Sequence, residues 1–151
     1  MRERAWLGVD PGWHGACALI TESNYIDIMD WPEDVVDVDI QLKEWHNDYD
    51  LFVILEKVWG RSAKLSSNYG LWWGLLVGNG IKYDLVAAKT WQKVMLKDAI
   101  GKDTKEKALQ KARALFPGQA KQLKRQKDHD RADALLLARY GQLEGYLGVW
   151  R

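Results

Sequence analysis

Residues 51–56 have the sequence LFVILE, in which five consecutive apolar side chains are followed by a carboxylate. An uninterrupted apolar run of this length is typical of a strand that is buried on both faces of a sheet. Residues 6–10, WLGVD, repeat the arrangement, because a short apolar strand again ends in an acidic side chain before a turn at 11–12. The two stretches predict a pair of buried strands that end in Asp10 and Glu56.

The other segments of the chain are short apolar runs and stretches with helical periodicity. Runs at 16–21 and 25–31 are close enough to the first strand to form an antiparallel meander with it. The further predicted elements are helix 36–46, helix 62–78, strand 81–86, helix 88–96, a helix from 103 or 104 to 116, a polar basic loop at 118–128 and helix 130–143. This order predicts an α/β fold, a mixed five-stranded sheet flanked by helices, in a single domain over residues 1–151.

Composition excludes several classes of protein. The 151 residues are 47% hydrophobic and 28% charged, which argues against a disordered, collagenous or coiled-coil chain. The single cysteine, Cys17, excludes an intrachain disulfide and a cysteine-built metal site, and it fits a reducing compartment. No apolar run approaches the roughly 20 residues that span a bilayer, and the N-terminus lacks an apolar secretory segment. We therefore expect a cytoplasmic protein with no membrane partner.

Charge is distributed unevenly along the chain. The net charge is +1, but residues 1–86 carry 7 basic and 14 acidic side chains, whereas residues 87–127 carry 12 basic and 3 acidic ones. A basic segment within a nearly neutral protein suggests a polyanionic partner such as nucleic acid. The alternative is an ordinary solvated helix face.

Four acidic residues are candidates for chemistry. Asp10 and Glu56 each follow an apolar strand, where a charge needs a partner, and Asp130 and Asp133 share a helix face. Three of them also have an ordinary explanation, since Asp10 could form a turn, Glu56 could end a strand and Asp130 could cap a helix. Asp133 lies inside the predicted helix and cannot be explained as a cap. If the two strands are parallel neighbours, their carboxylates emerge at one sheet edge, where the helix could complete the cluster.

Oxygen ligands of this kind suit Mg²⁺ or Mn²⁺, and the sequence has no histidine and cysteine set that would favour zinc. A carboxylate cluster without a protein nucleophile is what two-metal phosphodiester hydrolysis requires, with one ion activating water and the other stabilising the leaving oxygen. The residues thus predict a nuclease that holds two Mg²⁺ ions, with Mn²⁺ as a substitute.

Three motifs carry a resemblance to a known family: GVDPG at 8–12, LEKVW at 55–59 and DRADAL at 130–135. In order and spacing they resemble the RuvC family of Holliday junction resolvases, and the chain is most similar in size to phage-encoded members. The resemblance implies an RNase H-like fold and a homodimer that makes paired, symmetric nicks in four-way DNA junctions in a bacterial host cell. Asp10, Glu56, Asp130 and Asp133 match the family's metal-binding positions.

The resemblance also implies residues that contact DNA. Trp59 matches an aromatic position near the junction centre, where stacking on a base would contribute roughly 1–3 kcal/mol, although a core tryptophan is the alternative. Lys89 and Lys105 fall near lysine positions of the family. With the basic residues around them, the candidate DNA-binding set is Trp59, Arg61, Lys64, Lys89, Lys105, Lys107, Lys124 and Arg125.

Helix 62–78 resembles the helix through which family dimers pair, because glycines recur every four residues at Gly70, Gly74 and Gly78. Of Trp72 and Trp73 in the same helix, we expect one to pack internally. The sequence departs from the family at 13–15, where WHG lacks the usual small hydroxyl residue. His129 could carry a proton, but a solvated side chain is the simpler expectation.

Other functions remain open at this stage. A non-catalytic junction-binding protein is possible, although such a protein would gain by losing negative charge near phosphates. A broader RNase H-like nuclease could act on flaps or RNA–DNA hybrids. An actin-like ATPase shares the motif at 8–12, but it needs two such domains with nucleotide between them, so we expect no nucleotide cofactor.

Overall fold

The structure is a computed structural model that describes residues 1–32, 34–58, 60 and 62–146. Its strands are β1 Arg4–Asp10, β2 Ala16–Thr21, β3 Ile26–Asp30, β4 Asp50–Glu56 and β5 Lys82–Val86. Its α-helices are α1 Val35–Asp48, α2 Ala63–Gly78, α3 Ala88–Met95, α4 Thr104–Leu115 and α5 His129–Leu143. Within the described ranges, none of the helices has the length and hydropathy needed to cross a membrane.

The five strands form one mixed sheet in the order β3-β2-β1-β4-β5. Strands β1, β2 and β3 pair antiparallel, whereas β4 runs parallel to both β1 and β5. The predicted meander and the predicted mixed α/β sheet are therefore confirmed. Val9 is paired with Leu55 in the parallel register of β1 and β4, so the next residues, Asp10 and Glu56, leave the sheet at the same edge.

Helices cover both faces of the sheet. Trp6, Ile54 and their neighbours pack against α3, α4 and α5 on one face, and Leu7 and Val53 pack against α1 and α2 on the other. Because side chains alternate along a strand, the continuous apolar runs supply both cores at once. The central strands are consequently fixed from both sides.

Gly8 controls how closely α5 approaches β1. A Cβ atom built on Gly8 would lie 2.0 Å from the carbonyl oxygen of Ala134 and 2.5 Å from the backbone nitrogen of Ala138. Such distances are not compatible with any side chain, so the helix crosses the strand in direct backbone contact. This contact brings the start of α5 to the end of β1.

Two predictions about the segment before α5 are wrong. The expected loop at 118–128 contains 3₁₀ turns at Pro117–Leu123 and Gln126–Asp128. The segment is ordered because Leu123 is buried and the Arg113 guanidinium donates to the Leu123 carbonyl at 2.8 Å. Helix α5 begins at His129 with Asp128 at the cap position, so Asp130 lies inside the first turn and is not the cap.

Candidate metal centre and nucleic-acid surface

The four predicted carboxylates come together at the edge where β1 and β4 end. Asp10 is 6% exposed, and its Oδ1 accepts a hydrogen bond from the Gly12 backbone nitrogen at 3.0 Å. Glu56 follows the neighbouring strand, and α5 places Asp133 within hydrogen-bonding reach of Asp10. The juxtaposition expected from parallel strands is therefore present, with α5 closing the cluster.

Burial raises the pKa of Asp10 well above its usual value, and the charges of Asp133, Glu56 and Asp130 raise it further. The pKa of Asp133 is raised in the same way, first by burial and then by Glu56 and Asp130. Within the described part of the chain, neither Asp10 nor Asp133 forms an ion pair with a lysine or arginine. Two carboxylates this close must share a proton or a cation.

His129 and Asp130 lie beside this pair. Ligand atoms of His129, Asp130 and Asp133 all lie within 4.8 Å of one another, which suits a bound cation. His129 Nδ1 is 3.1 Å from Asp130 Oδ1, and its side chain is 23% exposed. The expectation of a freely solvated histidine is therefore wrong, since the imidazole contacts a member of the cluster.

Trp91 is a site residue that sequence reasoning missed. Its indole is fully buried in α3, and Nε1 donates to Glu56 Oε2 at 2.6 Å. A buried tryptophan needs a partner for its N–H group, but nothing in the sequence indicates which one. The contact fixes one carboxylate oxygen of Glu56.

The donor set fits a hard divalent cation. It consists of carboxylate oxygens with one imidazole, and Mg²⁺ and Mn²⁺ prefer oxygen ligands. The buried Asp10 and Asp133 supply the structural reason, because a cation would relieve the repulsion that raises the pKa of Asp10.

The candidate DNA-binding residues are found in different surroundings. Trp59 and Arg61 lie outside the described residues. Lys105 is exposed in the first turn of α4, and its charge acts to lower the pKa of Asp133, so it faces the carboxylate cluster. Lys89 is exposed at the start of α3.

The remaining four candidates differ in whether another group of the chain already contacts their charge. Lys107 is half-buried and Lys124 is exposed, whereas the ammonium of Lys64 lies 3.3 Å from the centroid of the Trp13 ring. Arg125 is paired with Asp128 at 2.8 Å, so its charge is already compensated within the chain.

Helix α2 exposes its glycine face. Gly70, Gly74 and Gly78 would each accept a Cβ with no heavy atom within 4 Å. Trp72 is 1% exposed and Trp73 is 40% exposed, which confirms that one of the two packs internally. The face that carries the glycines is open to a partner.

Comparisons with known proteins agree with the motifs. No family model matches the chain. Over 70 residues, 46% of its length, the chain is 46% identical to a Chlamydomonas reinhardtii protein named Holliday junction resolvase MOC1, chloroplastic, of which the match spans 8%.

Two solved structures share the architecture of the chain. Thermus thermophilus RuvC in complex with a Holliday junction substrate matches with a TM-score of 0.58 and 17% identity, over 94% of this chain and 96% of that one. A second Thermus thermophilus RuvC structure gives a TM-score of 0.57 at 17% identity, over 93% and 96%. The chain therefore has the fold of RuvC, as the three sequence motifs predicted.

Proposed function

We propose that this chain is a Holliday junction resolvase, a metal-dependent endodeoxyribonuclease that makes paired, symmetric nicks in four-way DNA junctions. The observation that carries the proposal is the cluster of Asp10, Glu56, Asp130 and Asp133 at one sheet edge, where buried Asp10 and Asp133 have no basic ion-pair partner in the described residues. The RuvC fold and the local identity to a resolvase support it.

In this proposal the four carboxylates hold two Mg²⁺ ions, for which Mn²⁺ would substitute. When bound, such ions activate a water molecule and stabilise the leaving oxygen in phosphodiester hydrolysis. Asp10 would help to hold the ions, because the charges of the other three carboxylates all act on it and a cation would relieve that repulsion. Trp91 holds Glu56 in place, and Lys105 supplies positive charge beside Asp133.

DNA would be held by the residues of the candidate DNA-binding set. Exposed Lys64, Lys89, Lys105 and Lys124, with half-buried Lys107, offer phosphate contacts, and Trp59, Arg61 and Arg125 complete the proposed set. Because phosphate contacts release counterions, binding should weaken steeply with salt. Substituting one exposed lysine should weaken binding to all DNA sequences alike.

The proposal includes a homodimer that pairs through α2. The open glycine face and the exposed side chains of Leu71 and Val77 support it, because small residues allow close helix approach and the exposed apolar groups need cover. Two copies would place two sites on a two-fold symmetric junction. Gly74→Glu should convert the dimer to a monomer in analytical ultracentrifugation, whereas Gly118→Glu, at another open glycine, should not.

The deciding experiment is a denaturing gel of a synthetic four-way junction, with each strand labelled in turn, in Mg²⁺, Mn²⁺ or EDTA. Wild type should make symmetric nicks only with metal, and Asp10→Asn should bind without cutting. Asp39→Asn is the matched control, because Asp39 pairs with Lys43 on α1, away from the cluster. Full cutting by Asp10→Asn would contradict the mechanism.

Other substrates separate the remaining candidates. A linear duplex, a flap and an RNA–DNA hybrid run on the same gel would reveal a broader RNase H-like nuclease if they are cut as fast as the junction. Tight junction binding without cutting in either metal would indicate a non-catalytic binding protein. We further propose that residues 1–151 act as one nuclease domain in the cytoplasm of a bacterial host.

A further inference from the structure

A cleft of about 420 Å³ opens directly beside the carboxylate cluster. Its walls come from the loop after β1, the end of β3 and the segment that leads into α5, and Asp130 lies on its border with the cluster. The volume falls within the roughly 300–1,000 Å³ of sites that hold small organic groups. His129 and Asp130 belong both to the cleft and to the carboxylate cluster, whereas the other lining residues have no part in the proposed metal chemistry.

Two ion pairs within the protein lie in the lining of the cleft. The Arg131 guanidinium donates to both oxygens of Asp30, at 2.8 and 2.6 Å, and Arg125 donates to Asp128 at 2.8 Å. With these pairs matched, Lys127 adds an exposed positive charge to the wall. Asp130 also lines the cleft and offsets this charge, so the lining is close to neutral overall. Lys127, which forms no ion pair within the described residues, is the group that a nucleotide phosphate would contact.

Aromatic rings form the other part of the lining. Trp13 is 50% exposed and stands at the tip of the loop after β1, with Trp31 half-buried across the cleft. The loop is held in place from both sides, because Asn68 Nδ2 donates to the Gly12 carbonyl at 3.3 Å and the Trp31 backbone nitrogen donates to the Gly15 carbonyl at 2.8 Å. The Lys64 ammonium covers one face of the ring, at 3.3 Å from its centroid, so the opposite face of this half-exposed indole is the one available for stacking.

We propose that this cleft holds the nucleotide adjacent to the scissile phosphodiester, with its base stacked on Trp13 and its phosphate near Lys127. The inference rests on the proposed function, since it names a subsite for the same substrate. Stacking on an indole tolerates any base, so Trp13 supplies affinity and position near the cut and leaves base selection to other contacts. The departure from the family at residues 13–15 thereby gains a role in binding.

The test combines a protein variant with a substrate that lacks one base. Junctions carry a single abasic nucleotide immediately 5′ or 3′ of the mapped cut, and cleavage rates are measured at subsaturating protein. For wild type, an abasic nucleotide at one of the two positions should slow cutting by about 10-fold, the scale of base–aromatic stacking. Trp13→Ala should slow cutting of the intact junction by a similar factor, and it should cut the abasic junction no more slowly than the intact one. Trp13→Phe should recover most of the wild-type rate on the intact junction.

Two control variants separate stacking from other roles. Tyr25→Ala removes a ring of similar exposure, 55%, from the hairpin at the opposite end of β2, and it should leave both rates unchanged. Lys64→Ala removes the ammonium that sits on the Trp13 ring, and it should retain the full abasic penalty. If Lys64→Ala instead abolishes the penalty, or the losses from Trp13→Ala and the abasic nucleotide multiply, the stacking role is wrong.

The same experiment distinguishes failure of this inference from failure of the proposed function. Wild type that cuts the junction with no abasic penalty at either position refutes the nucleotide subsite alone. If wild type binds the junction without cutting it, the test uses dissociation constants, with abasic nucleotides placed around the crossover. We then expect an abasic nucleotide and Trp13→Ala each to weaken binding by about 10-fold, and the two changes together to weaken it no further. Absence of both cutting and binding refutes the proposed function and the subsite together.

Discussion

Two pairs of aspartates lie at the same edge of the sheet, and their pKa values are shifted in opposite directions. Asp10 and Asp133 are buried against each other without an ion-pair partner in the described residues, and burial raises the pKa of both. Asp30 accepts hydrogen bonds from Arg131, which lower its pKa. Burial would raise the pKa of Asp128, but the hydrogen bonds from Arg125 outweigh it and the pKa is lowered.

The difference lies in the available counter-charge, because the residue type is the same. Guanidinium groups satisfy Asp30 and Asp128 within the protein, so these carboxylates hold the segment before α5 in place. Asp10 and Asp133, in contrast, have no lysine or arginine ion-pair partner in the described residues. A buried carboxylate pair in this condition is a candidate functional site.

The strongest test of this comparison removes one carboxylate from the buried pair of Asp10 and Asp133. Asp10→Asn should lower the cleavage rate of a four-way junction by at least about 100-fold, because metal ions stabilise the transition state by several kcal/mol. Junction binding, measured by gel shift, should be retained. A loss of binding equal to the loss of cutting would instead assign Asp10 to DNA affinity.

The next largest effect concerns the backbone contact that assembles the cluster. Gly8→Ala places a methyl group 2.0 Å from the Ala134 carbonyl oxygen, so α5 must move away from β1. We expect a loss of about 3 kcal/mol in the free energy of unfolding by urea denaturation, the upper end of overpacking effects. Gly118→Ala, with no heavy atom within 4 Å, should change little. Equal stability of the two variants would show that α5 is not held by this contact.

A smaller effect is expected from the residue that holds Glu56. Trp91→Phe keeps most of the ring in the core but removes the N–H donor to Glu56. We expect about a 10-fold lower cleavage rate with unchanged junction affinity, as for partners that orient metal ligands. Titration with Mn²⁺ should show that the variant needs a higher Mn²⁺ concentration for its half-maximal rate. An unchanged Mn²⁺ requirement would reduce Trp91 to a packing role.

The smallest effect compares the two groups directly in metal-free protein. At about pH 8 in EDTA, Asp133→Asn should raise the melting temperature by at least about 2 °C, because it removes repulsion between buried charges, and Asp128→Asn should lower it by a similar amount. A carboxyl group whose pKa is raised in the folded state destabilises that state progressively as the pH rises from about 4, the usual aspartate pKa, to the raised pKa. The gain in Asp133→Asn should therefore shrink at about pH 5.

The contribution of Asp128 has the opposite sign. Since its pKa is lowered in the folded state, its stabilisation is present above about pH 4 and is lost as the pH falls below that value. Shifts of the same sign for both variants would show that the two groups do not differ in counter-charge. Adding Mg²⁺ should stabilise wild type at about pH 8 more than Asp133→Asn.

Much of the fold follows from patterns within short stretches. The apolar runs ending in Asp10 and Glu56 gave the correct central strands, and Ser62 and Asp103 cap α2 and α4 where the sequence placed those helix starts. The segment 118–128 was misjudged because its polar composition indicates a loop. Its order comes from buried Leu123 and from Arg113, which lies on another element.

The sequence by itself determined which carboxylates could form a site, because strand ends and helical spacing are local properties. It could not show that Trp91 binds Glu56, that Asp30 and Arg131 neutralise each other, or that Trp13 borders a cleft next to Asp130. Those facts depend on distances between segments far apart in the chain, which the sheet order and the close crossing of α5 over Gly8 set. Only the tertiary structure decided which of the described aspartates are paired with a guanidinium group and which could bind a cation instead.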